Sequence, residues 1–151
     1  MALTRRLFAR SAPLAAVGAV AACSDMAKPG PQSAAGMSPV GTVHLTEVIA
    51  GGNAVGSGTL SYGGRRYNFK LIGGVTGGGA ARSVVEGAVY NLSRPSDFAG
   101  VFTVGTAAGM DKPGRANLWL RNTKGVVLHL TGTQEGMVLT MGRQELLVEM
   151  L

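Results

Sequence analysis

The chain has 151 residues, a formal net charge of +6, 24 glycines, and only 15% charged and 5% aromatic side chains. That length holds one domain with appendages, and so much glycine argues against a helical bundle, because glycine is costly inside helices and natural in short strands and sharp turns. A single cysteine and two histidines among eight scattered carboxylates exclude a disulfide framework and give no spacing that resembles a metal motif.

Arg5, Arg6 and Arg10 place half of the net charge in the first 22 residues, where there is no acid. An apolar run from Ala12 to Ala22 follows, shorter than the about 20 residues of a membrane span, and small residues end it. These are the parts of an export signal over residues 1–22. Val20, Ala21, Ala22 and Cys23 resemble the lipobox of bacterial lipoproteins. The resemblance implies a diacylglycerol on the Cys23 thiol, cleavage before it and acylation of the new amino terminus. The alternative is an incidental cysteine behind an ordinary cleaved signal. Thr4-Arg5-Arg6-Leu7-Phe8-Ala9-Arg10 resembles the twin-arginine export motif, with the general secretory route as the other choice. Ser24 lacks the acidic side chain that retains lipoproteins at the inner membrane, so the expected location is an outer-membrane lipid anchor facing the periplasm.

Residues 23–41 mix Pro29, Pro31 and Pro39 with glycine, serine and alanine and show no apolar period, the composition of a flexible tether. At ~3.4 Å per residue such a tether reaches at most about 60 Å. The folded domain is expected over residues 42–151. There, Tyr67, Phe69 and Leu71 alternate with Arg66, Asn68 and Lys70, Leu118 and Leu120 with Asn117, Trp119 and Arg121, and Leu128 and Leu130 with Val127, His129 and Thr131, which reads as half-buried strands. Gly63-Gly64, Thr123-Lys124-Gly125 and Gln134-Glu135-Gly136 read as hairpin turns. Ser93 to Gly100 holds a single helical turn capped by Ser96, and Gly73 to Gly79 reads as a flexible connection. About nine short strands result, best satisfied by a small antiparallel β-barrel, with a flattened β-sandwich as the alternative, since closure removes aggregation-prone edges.

Catalytic signals are missing from this pattern. No Gly-x-Ser-x-Gly elbow accompanies His129, and the carboxylates are not paired as glycoside hydrolysis requires. No catalytic residue, metal or cofactor is expected. Nucleic acid is a poor partner because the aromatic platform that stacks bases is absent. Arginines and lysines beside turns suit phosphorylated headgroups or anionic polymers.

The order Val89-Tyr90-Asn91-Leu92-Ser93-Arg94-Pro95-Ser96-Asp97, then Gly105 to Gly109, Asn122, Gly125 to Leu128 and Gly136 to Gly142, resembles the periplasmic envelope-integrity proteins built on a domain of unknown function. It resembles the SYLF lipid-binding domain more distantly, without that domain's longer amino-terminal part. The resemblance implies a small, non-enzymatic β-barrel with a ligand cleft and a role in envelope integrity. The residues themselves suggest an interior groove lined by Tyr67, Phe69, Trp119 and Leu128, with Arg65 and Arg66 at its rim, for an amphiphile or anionic envelope polymer. A protein-interaction scaffold using a barrel face is the second expectation.

Overall fold

The computed structural model describes residues 28–76, 79–105, 115–138 and 142–151. Eight antiparallel strands close into a barrel: β1 (Gly41–Ala50), β2 (Asn53–Tyr62), β3 (Arg65–Thr76), β4 (Gly79–Tyr90), β5 (Gly100–Val104), β6 (Arg115–Asn122), β7 (Val127–Val138) and β8 (Gly142–Met150). Around the wall the order is β1-β2-β3-β8-β5-β6-β7-β4, with β4 returning to β1. The barrel expectation holds and the sandwich alternative does not, because every strand has a partner on both sides.

The alternation read from the sequence decides which way the side chains point. Val43, Leu45, Leu60, Phe69, Leu71, Val85, Val89, Phe102, Leu118, Leu120, Leu128, Leu130, Leu146 and Val148 are buried in one core cluster. An eight-stranded barrel leaves an interior that side chains just fill, so this is a packed centre. A Cβ on Gly58 would collide with the Phe69 ring, so the absence of a side chain on β2 makes room for the aromatic on β3. Gly63 and Gly64 have φ of 58° and 75°, the left-handed pair that a two-residue hairpin of the right twist requires.

Several expectations are corrected. There are eight strands where about nine were expected, because Gln134, Glu135 and Gly136 do not turn the chain. They stay in register with Ser83, Arg82 and Ala81 inside a single 12-residue β7. Gly73 and Gly74 belong to β3, with a register irregularity before Val75, so most of the glycine-dense stretch is strand and not a flexible connection. The helical turn is a 3-10 turn, Pro95–Phe98, whose capping position is Arg94 and not Ser96. Proline begins the turn, where its missing N–H costs nothing.

Part of the segment expected to be a free tether is seated on the barrel. Pro31–Ala34 form a 3-10 turn closed by the Ser33 N–H donating to the Gly30 carbonyl at 2.9 Å. Pro29 and Gly30 are buried, and a Cβ on Gly105 would strike the Pro29 carbonyl oxygen. Glycine at the end of β5 therefore lets this segment lie against the barrel. From there it reaches β1, where the Val40 N–H donates to the Val89 carbonyl at 2.8 Å. Residues 1–27, on which the expected export signal and the lipidation expected at Cys23 fall, lie outside the described residues.

The end of the barrel that holds the β2–β3 hairpin is plugged. Phe98 from the 3-10 turn is fully buried and packs edge-on to Phe69 at a centroid distance of 5.0 Å and against Phe102 at 5.8 Å. Asn122 ties the plug down. Its Nδ2 donates to the Asp97 carbonyl at 2.7 Å, and its Oδ1 accepts from the N–H groups of Lys124 and Val126 at 3.0 and 2.9 Å. Asn91, in the left-handed region at φ 58°, donates to the Gly125 carbonyl at 3.0 Å. The Tyr-Asn-Leu-Ser-Arg-Pro-Ser-Asp stretch and Asn122, singled out in the sequence, thus build the floor of the barrel.

Candidate functional site: a hydroxyl-rich track on the outer wall

Outward positions on neighbouring strands line up through the hydrogen-bond register. One row runs Arg66, Ser61, Thr42, Ala88, His129 and Trp119 on β3, β2, β1, β4, β7 and β6. The next row runs Asn68, Thr59, His44, Glu86, Thr131 and Asn117 on the same strands. Between these rows lies a groove of about 760 Å³ lined by Thr42, His44, Thr59, Ser61, Arg66 and Glu86, with Gly87, Ala88 and Thr131 toward β7. Short side chains on β4 set its depth.

Two smaller hollows continue it. One of about 400 Å³ shares Thr42, Ser61 and Arg66 and extends over the Gly63-Gly64 turn to Arg65. The other, of about 350 Å³, shares His44, Glu86 and Thr131 and reaches Thr133 on β7. Together they form a track that crosses the wall from the rim of β3 to β7. It carries a hydroxyl on each of its strands β1, β2 and β7, two arginines at one end and a carboxylate and an imidazole near the middle. Arg65, Arg66, His44 and Glu86 are exposed, and none of them makes a side-chain hydrogen bond or ion pair among the described residues, so their polar groups face solvent. Such a surface offers many donors and acceptors to a ligand and few apolar contacts.

The structure brings Arg65 and Arg66 to this track, but it does not assemble the interior groove expected from the sequence. Phe69 is sealed in the core against Phe98, Leu128 is core, and half-buried Tyr67 packs against the same cluster. Trp119 is on the outer wall, because Leu118 and Leu120 point inward and a strand alternates. It stacks on His129, directly opposite across β6 and β7, with ring centroids 4.1 Å apart and planes 7° from parallel. His129 Nε2 meets Asn117 Oδ1 at 3.0 Å, and desolvation by this packing lowers the imidazole pKa from its ordinary value. That wall histidine is a packed residue, next to last in the first row, beside Trp119.

Sequence reasoning missed Thr42, Thr59, Ser61, Glu86 and Thr131 as site residues. Each is an unremarkable polar position on its own strand, and only the register joins them. Among the described residues no group of three or more His, Cys, Asp or Glu side chains is placed to hold a metal ion. No described helix is long and apolar enough to cross a membrane.

No protein-family model matches the chain, and no curated protein matches it. Among solved structures, its fold is similar to the crystal structure of a β-barrel-like, uncharacterized protein from Brucella abortus, with 22% identity, 75% of this chain and 73% of that chain covered, and a TM-score of 0.57. The chain is thus a small β-barrel protein whose architecture is shared with that bacterial protein.

Proposed function

We propose that the protein is a lipid-anchored, non-enzymatic binding module of the bacterial envelope, held to the outer membrane through acylated Cys23 and facing the periplasm. Its ligand is a segment of an anionic, hydroxyl-rich envelope polymer, and its site is the track on the outer wall. The observation that carries this reading is the shape and lining of the track: three adjoining hollows, hydroxyls on β2, β1 and β7, and Arg65 and Arg66 at one end. A linear polymer can follow such a path, donating and accepting hydrogen bonds along it while an anionic group meets the guanidinium pair. An amphiphile tail would need an apolar cavity, and the barrel interior is filled by its own side chains. The export signal and lipobox resemblance supply the compartment, and the resemblance to envelope-integrity proteins agrees with it. Exposure of both His44 and Glu86 speaks against acid-base chemistry, which uses desolvated and mutually positioned groups.

Binding of purified lipopolysaccharide core oligosaccharide and of soluble peptidoglycan fragments to a chain starting at Lys28, which keeps the seated segment, measured by calorimetry at low and moderate salt, tests this reading. The paired change Arg65→Ser and Arg66→Ser is expected to weaken binding at least about tenfold and to reduce its salt dependence. Ala88→Tyr, which fills the groove from its β4 side, is expected to do the same without altering the salt dependence of what remains. Lys70→Ser, outside the track, is the control. Absence of binding to either polymer at low salt overturns the polymer reading and favours a protein-interaction scaffold that uses the same wall.

A further inference from the structure

The outer wall also carries a feature of the opposite chemistry. Val48 is opposite Val55, Val55 opposite Ile72, Ile72 opposite Leu147, and Leu147 opposite Val101, on β1, β2, β3, β8 and β5 in turn. All five point outward and are 52, 58, 43, 38 and 39% exposed in that order. The other exposed large hydrophobics among the described residues, Met37, Val40 and Leu151, lie outside the strands. Every such residue on the barrel wall therefore belongs to one unbroken row, which ends at Arg82 on β4. Scattered apolar side chains on a surface are ordinary, whereas a contiguous line of them marks an interaction surface.

Strands in a barrel of this size tilt by about 35–45°, so a row at right angles to them climbs as it winds and covers only roughly a third of the circumference. Ile72 is at the middle of the row and its ends turn about 60° to either side, so a boundary layer about 5–10 Å deep, and not a flat plane, can take all five. The remaining outward rows are largely polar and the interior is aliphatic, the reverse of a barrel that spans a membrane.

We propose that this row is the face on which the barrel lies against the bilayer interface, an inference that rests on the reading of Cys23 as the acylated residue. The seated segment sets the geometry. Pro29 is fixed at Gly105, at the end of β5, and Cys23 is six residues ahead, so the acyl chains enter the membrane no more than about 20 Å from that point. Val101 is four residues back along the same strand, about 13 Å from Gly105 at strand rise. The anchor and the end of the row thus meet on the β5 side of the barrel. The expected tether of about 60 Å is not available to hold the domain clear, because Pro29 and Gly30 are buried against it. Short aliphatic side chains enter the boundary between headgroups and acyl chains, which is about 5–10 Å deep. Lys70 beside the row is paired with Glu149 at 2.7 Å, and Arg82 stands only at the row's far end, so the contact is chiefly aliphatic. Docked this way, β7 with Thr133 is on the side turned away from the membrane, four strands round from β3.

The test uses the full acylated chain in vesicles of phosphatidylethanolamine and phosphatidylglycerol. Cys23 is the sole native cysteine, and acylation blocks it, so a thiol introduced singly by Ile72→Cys, Leu147→Cys, Val101→Cys or Thr133→Cys accepts a polarity-sensitive fluorophore alone. The three row positions are expected to emit blue-shifted and to be quenched at least about twofold more than Thr133 by a nitroxide on the lipid headgroup, equally in low and high salt. Row labels as water-exposed as the Thr133 label, with Cys23 still blocked, overturn the docking face and leave the anchor reading standing. A reactive Cys23 thiol in the unsubstituted protein overturns the anchor and this orientation together. Quantitative disulfide dimers through Leu147→Cys assign the row to a second copy of the chain and overturn the proposal too.

Discussion

At the plugged end of the barrel, Phe98, Phe69 and Phe102 meet face and edge, with Leu92 and Val126 buried around them, and Asn122 satisfies three backbone groups at once. Toward the opposite end the same interior carries Glu47, Ser83 and Gln134, side by side on β1, β4 and β7 and all buried. Beyond that polar row Ile49, Ala54 and Ala81 form a small cluster separate from the main core. Both ends bury polar side chains, but the first pairs them and the second does so incompletely: the Gln134 Nε2 has no hydrogen-bond partner, and Ser83 Oγ reaches Gln134 Oε1 only at 3.5 Å. A paired buried group adds stability, whereas an unpaired one carries its full desolvation cost. The plugged end is therefore expected to be the more stable one, and the opposite end the first to open.

The largest effect that breaks this contrast is expected at the plug. Phe98→Ala removes a fully buried ring and leaves a cavity between Phe69 and Phe102, at a cost of about 3–5 kcal/mol. That is a large share of the about 5–15 kcal/mol that holds a domain together. Urea unfolding followed by far-ultraviolet circular dichroism measures it, and a loss below about 1 kcal/mol would show that the plug is an ornament of the barrel and not part of its core.

Next comes the hub. Asn122→Ala strands the N–H groups of Lys124 and Val126 and the Asp97 carbonyl, with an expected loss of about 2–3 kcal/mol. Asn122→Asp keeps the acceptor for both N–H groups but sets a buried carboxylate oxygen against the Asp97 carbonyl, so it too is expected to lose stability. An Asp variant as stable as the native protein contradicts the assigned donor.

How much of this could be read from the sequence varies with how local the signal is. The inward set on β3 and β6 was legible because Tyr67, Phe69 and Leu71, and Leu118 and Leu120, alternate within one strand. Gly63-Gly64 was legible because adjacent glycines with positive φ suit a hairpin. The same alternation already put Trp119 on the face opposite to Leu118 and Leu120, so a single groove shared with Phe69 was not compatible with it. Gly136 misled because a glycine after two polar residues looks like a turn, while its pairing with Ala81 is decided by β4. Arg65 and Arg66 stand out in the sequence because they follow the Gly63-Gly64 turn, and the register places them at one end of the track. The track and the aliphatic row were not legible at all, because each takes one or two residues per strand and exists only after eight strands choose their register.

The opposite end sharpens the contrast by the reverse result. Gln134→Leu removes an Nε2 that has no partner among the described residues, together with the long 3.5 Å contact from Ser83 Oγ, and keeps most of the side chain's volume, so stability is expected within about 1 kcal/mol of the native protein. The urea midpoint at constant slope reads this. A loss comparable to that of Asn122→Ala would mean that the polar row is as tightly organised as the plug.

The smallest effect belongs to the wall between the two ends, where His129 stacks on Trp119. Desolvation lowers its pKa in the folded chain, so between that value and the unfolded value of about 6.5 the unfolded chain binds more protons. Stability from this residue is accordingly complete above about pH 6.5 and declines as the pH falls through the lowered value. The decline is small, because the ring is only half-buried and solvent screens it. His129→Phe keeps an aromatic ring for Trp119 and cannot take a proton, so its unfolding midpoint should fall less than the native one between pH 7 and pH 5. Every other titratable group is common to the two proteins, and the difference between the two slopes isolates the imidazole. Equal slopes would mean that the stacked ring is hydrated as freely in the barrel as in the unfolded chain, and that burial on this wall is shallower than at either end.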